Sequence, residues 1–199
     1  MIVDPKTVAE FLLEGAVMIH DRDGAVTPTT FAIGHARSIF AQPYDEDGYE
    51  LRSEARTAMD ALLISATGAI CLGRIDESYI QERLITDPKP DFDELADRAE
   101  TDPTIGTALT VQVINTRTRE TTVALARLYL DDEGHPVWDR SLHDLVEGEA
   151  VVLSVEACAM AAGIKNPITN SQLKEELLAI GWSMIDSDDI RAFTEEEAE

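Results

Sequence analysis

The sequence predicts an α+β fold in which an antiparallel sheet, built on a three-stranded meander at about 107–139, is covered by helices. Three observations carry this. In 107–114, Leu109, Val111 and Val113 alternate with Thr110 and Gln112, a period of two that marks a strand. In 122–130, Val123, Leu125, Arg127 and Tyr129 alternate with Ala124, Ala126, Leu128 and Leu130, giving a second strand that is apolar on most of both faces. Asn115 to Thr121 reads as the hairpin end between them. Asp131-Asp132-Glu133-Gly134 then turns the chain into a shorter third strand, which Pro136 places at an edge.

The flanking elements follow from caps and periodicity. Asp4-Pro5 opens a helix whose stripe is Val8, Phe11, Leu12 and Gly15, and Val17-Met18-Ile19 reads as a short buried strand ending at His20-Asp21-Arg22-Asp23-Gly24. Residues 25–52 carry the weakest pattern: Phe31-Ala32-Ile33 suggests a strand and Pro43 to Gly48 a loop, and so long a poorly patterned segment suggests a lid. Ser53 caps a helix through about Ile64, followed by a strand at 69–73; a hairpin of 61–65 with 69–75 is the competing reading. Asp76 caps a short helix carrying Tyr79, Ile80 and Leu84, and Asp91 another carrying Phe92, Leu95, Ala96 and Ala99. Ser141 to Leu145 suggests a turn of helix. Glu149 to Ala162, apolar almost all round, reads as a central buried helix, with a strand over 150–155 as the alternative. Thr169-Asn170-Ser171-Gln172 is a capping box, with Ile168 stapling onto Leu173, for a helix that ends at Gly181, and Trp182 to Ile185 gives one more apolar contact or strand. We read 1–185 as one α+β domain and 186–199, with seven acids against one arginine, as a frayed acidic tail.

Composition narrows the function classes. Thirty-nine acidic residues face sixteen basic ones, a formal net charge of -23, and only four of the cations are lysines. Wrapping nucleic acid or lying on an anionic membrane requires cationic clusters, so direct nucleic-acid binding and membrane attachment are disfavoured. The surplus acid is a solvated surface, a docking face for a basic partner, or a mimic of DNA charge. Cys71 and Cys158 are too few for a disulfide framework and lie among apolar neighbours, as buried thiols do. Asp4, Glu10 and Glu14 interrupt the stretch where a signal peptide needs an apolar run, and no run approaches the roughly 18 apolar residues of a membrane span. A soluble cytoplasmic protein is the expectation.

The sharpest chemical cluster is His20, Asp21 and Asp23, with His35 as a further histidine, where an imidazole and carboxylates would hold a divalent cation or perform acid and base work. The same residues are ordinary turn chemistry. Ser38, beside His35 and Arg37, lies in no nucleophile elbow, and Arg117 and Arg119 would share one side of the main hairpin if strand geometry continued that far. No dinucleotide fingerprint, phosphate-binding loop or paired-cysteine motif is present, and no cofactor is expected. The expected function is that of a non-catalytic acidic interaction protein, of adaptor, inhibitor or immunity type, binding a basic protein surface. The rivals are a metal-dependent hydrolase or small-ligand enzyme using His20, Asp21 and Asp23, and a DNA-charge mimic.

Overall fold

A computed structural model describes residues 4–49, 53–81, 98, 105–130, 133, 135–145, 155–164 and 168–185. Helix α1 (Pro5–Asp23) begins where Asp4 accepts from the N–H groups of Lys6 and Thr7. It ends at Gly24, whose φ of 80° lets its N–H return to the His20 carbonyl at 2.7 Å. Residues 17–19 are therefore helical and form no strand. Ala9, Leu13, Ala16 and Val17 recur at i, i+4, i+7 and i+8 and are buried, so the helix continues in phase through this run.

Next come β1 (Thr29–Ile33), β2 (Ser38–Pro43), a short α2 (Glu46–Tyr49), α3 (Ser53–Thr67), β3 (Cys71–Gln81) and β4 (Ile105–Asn115). They are followed by β5 (Thr121–Leu130), β6 (Pro136–Leu145), α4 (Val155–Gly163), α5 (Asn170–Leu178) and β7 (Trp182–Met184). Residues 25–52 thus hold two strands in place of a lid, and β1 lies inside the sheet between β3 and β2. Helix 53–67 followed by a strand is formed, and the competing hairpin is not. Asp76 caps no helix, because 71–81 pairs with β4 along its whole length, and 141–145 continues β6. The strand from Pro136 is accordingly ten residues long, not short, and it lies at the end of the sheet order. The expected helix over 91–102 apart from residue 98, the acidic end 186–199, the region 149–154 and most of the turn 131–134 fall outside the described residues.

The seven strands form one antiparallel sheet in the order β6-β5-β4-β3-β1-β2-β7. Helices lie on both of its faces. On one, α1 packs over β4 and β5, and Leu13 and Val17 meet Phe31, Leu109, Val111 and Val113. On the other, α3 and α5 bring Met59, Leu63, Leu173 and Leu177 onto Ala32, Ile39, Leu72 and Ile114. Alternation along β3 divides the cores, since Cys71 belongs to the first and Leu72 to the second. Phe31 stands opposite Gly73, where a Cβ would lie 2.1 Å from the Phe31 ring, so only glycine admits that side chain.

Helix α4 buries Ala157 and Cys158, whereas Ala159, Met160 and Ala162 are exposed. Among the described residues it packs against α3 with one side and exposes the other, so it forms a layer outside α3 and not a central helix. Cys71 and Cys158 are both buried and free, and burial pushes the Cys71 thiol up to about 11. The segment 181–182 is clipped to the first third of the chain. The Trp182 Nε1–H donates to the Gly48 carbonyl at 2.8 Å, the Tyr44 N–H donates to the Gly181 carbonyl at 2.9 Å, and Gly181 takes a φ of 75°.

Candidate functional site

His20, Asp21 and Asp23 lie in the last turn of α1, not at a strand end. His20 meets the Trp138 ring edge-on at 5.0 Å, and its Nε2 is 3.6 Å from Glu77 Oε1. The other oxygen of Glu77 accepts from the Val26 N–H at 2.7 Å. Asp21 accepts from the Trp138 indole at 2.9 Å, and exposed Asp23 is held by both nitrogens of the Arg22 fork at 2.8 and 2.7 Å. His35 is exposed in the β1–β2 turn, beyond the far end of β1. The structure therefore brings His20 and Asp21 to one tryptophan, and turns Asp23 and His35 elsewhere. Among the described residues no three histidine, cysteine or carboxylate side chains form a group able to hold a metal ion.

The other sequence candidates are also placed. Ser38 is the exposed first residue of β2, and its neighbour Arg37 is engaged with the Ala66 carbonyl and Asn170. Arg117 and Arg119 share no strand face, because β4 ends at Asn115. The Asn115 carboxamide accepts from the N–H groups of Arg117 and Thr118 at 2.9 and 3.1 Å, and Arg119 turns at a φ of 67°.

A polar cluster that the sequence did not disclose lies between α3 and the sheet. Arg56 and Asp60 are one turn apart on α3, while Arg74 and Asp76 stand on β3 beside Gln112 and Thr110 of β4. Arg74 Nη2 donates to Asp60 Oδ2 at 2.6 Å, with the two side chains 5% and 0% exposed. Asp60 Oδ1, Gln112 Oε1 and Arg56 Nε are buried without a hydrogen-bond partner. Burial pushes the Asp60 carboxyl up to about 6, against the opposing pull of Arg74 and Arg56. Burial likewise raises Asp76, and burial followed by the Arg74 charge lowers Arg56. Two guanidiniums and two carboxylates balance in formal charge. The chemistry of the cluster is that of a buried ion pair tying α3 to β3.

Two open features remain. A cavity of about 350 Å³ opens where the end of α3 meets α4 and Thr116, with Ser65 and Cys158 in its wall. On the other face of the molecule, α1 turns Phe11 and Met18 outward, 69% and 45% exposed. Comparison with known protein families, characterised proteins and solved structures finds no match to the chain.

Proposed function

We propose that this is a non-catalytic acidic interaction protein, of adaptor, inhibitor or immunity type, that engages a basic protein surface. The observation that carries the reading is where the positive charge goes. Arg74 is buried on Asp60, Arg22 is clamped to Asp23, Arg140 meets Glu14 at 3.0 Å, and Arg37 is spent on Ala66 and Asn170. These cations are held by partners within the chain, the acids outnumber them to a net charge of -23, and among the described residues Glu10, Glu14, Asp21 and Glu133 are exposed. Such a surface steers cationic partners and repels phosphate backbones and anionic headgroups, which fits a soluble cytoplasmic protein that does not bind nucleic acid.

The test is cross-linking in the source cell, followed by titration of the recovered partner from about 50 to about 500 mM sodium chloride. A partner with a basic face whose affinity falls steeply with salt supports the reading. Salt-independent binding, or turnover of a substrate, overturns it. A small-ligand enzyme or metal-dependent hydrolase is the second reading, favoured by the contact of His20 with Glu77. It predicts that Asp21→Ala abolishes a divalent-ion rise in melting temperature.

A further inference from the structure

Helix α1 is anchored by one stripe, and among the described residues the opposite one is left exposed. Ala9, Leu13, Ala16 and Val17 fix it on the sheet. Phe11 and Met18, seven residues or two turns apart, point away from that stripe with more than two-fifths of each exposed. Gly15 between them has open space where a Cβ would stand, so an approaching backbone can come close. On one flank the half-buried Val8, Leu12 and Ile19 extend the apolar band down toward the sheet. On the other flank helical spacing places Glu10, Glu14 and Asp21, all exposed; Glu14 meets Arg140 at 3.0 Å, Asp21 accepts from the Trp138 indole, and Arg22, one turn beyond Met18, is held by Asp23, so the border stays acidic on balance. An apolar band of this kind, on a rigid helix with one acidic border, is half of a helix-against-helix contact.

We infer that the outward face of α1, from Phe11 to Met18, is a docking site for a basic amphipathic helix of a partner protein. The inference rests on the interaction reading above and names the surface that reading uses. Charge chooses the occupant. A second copy of this chain would bring the same glutamates together across a two-fold axis in a molecule of net charge -23, and an anionic membrane would meet the same border. A helix with leucines on one side and lysines or arginines beside them meets the band with the first and Glu10 and Glu14 with the second. Phe11 and Met18 alone fall well short of the roughly 800 Å² per partner of a standard interface, so the footprint includes the aliphatic flank and the affinity is modest.

The test uses the full chain and two synthetic peptides of one composition. One is a helix of about five turns with leucine at i, i+3, i+4 and i+7 and lysine elsewhere; the other is its scrambled sequence. Fluorescence anisotropy at about 0.15 M salt should show saturable one-to-one binding of the amphipathic peptide, weakened about tenfold or more by Phe11→Gln with Met18→Gln. Glu10→Gln with Glu14→Gln should weaken it about threefold and flatten its salt dependence. All four positions are exposed, and unchanged melting of the variants confirms their folding. Equal binding by wild type and the Phe11→Gln, Met18→Gln protein overturns the docking site. If the scrambled peptide then binds as well as the ordered one, the acidic-surface reading survives alone; if neither binds, both fail. Sedimentation that finds a dimer dispersed by Phe11→Gln with Met18→Gln overturns it in favour of self-association.

Discussion

Asp60 gives up its hydration on folding and receives one strong contact in return, the 2.6 Å bond from Arg74. Removing one partner strands the other charge in the core, so Asp60→Ala or Arg74→Met should each cost about 3–5 kcal/mol by urea denaturation. Asp60→Leu combined with Arg74→Met should cost far less than the sum of the single changes, because neither member of the pair is then left without the other. The same burial gives a pH signature. The native carboxyl titrates at about 6 against an ordinary 3.8, so the folded state holds the proton more tightly. Its contribution to stability is fully present below 3.8 and is lost as pH rises through about 6, an effect on the order of 3 kcal/mol. Urea midpoints should fall between about pH 4 and about pH 7, and fall less in Asp60→Asn. Little of this cluster is legible in the sequence. Asp60 stands between Met59 and Ala61, and Arg74 between Gly73 and Ile75, so each is a charge set in an apolar stretch. One-dimensional periodicity shows the two interruptions but not that they answer each other.

Among the elements, legibility follows how local the deciding interaction is. The capping box of α5 is contained in four residues and forms as its spelling implies. Gln172 N–H donates to the Thr169 hydroxyl at 3.3 Å, and Thr169 N–H donates back to Gln172 Oε1 at 3.1 Å. Thr169→Ala should cost about 1 kcal/mol and speed amide exchange in the first turn of α5. Strands β1 and β2 are short; the apolar Phe31-Ala32-Ile33 marks β1, whereas no alternation or long run announces β2. Strand β3 runs well past the expected end at residue 73, because Asp76 mimics a cap while its partner in β4 lies some thirty residues on. In α1 the helix is legible and its phase is not. Phe11 dominates a hydrophobic count, yet the sheet selects the small Ala9 and Ala16 for close approach and leaves Phe11 outside.

For the whole molecule the net charge of -23 sets the largest response to conditions. Like charges repel most in the compact state, so the melting temperature should climb by several degrees as sodium chloride rises from about 20 to about 500 mM. A flat or falling profile in differential scanning calorimetry would show that the acids are already compensated. The fold class is legible at this scale from the alternation of β4 and β5, whereas the placing of helices on both faces depends on contacts between distant segments. Strand order carries one more consequence, for the chain as it is made. Strand β7 closes the open side of β2, and 182–184 leave the ribosome long after 38–43. Throughout synthesis the β2 side therefore presents unpaired N–H and C=O groups to whatever nascent strands or holding factors are near. A chain stopped short of Trp182 should accumulate in that state and aggregate, while the full chain passes through it once.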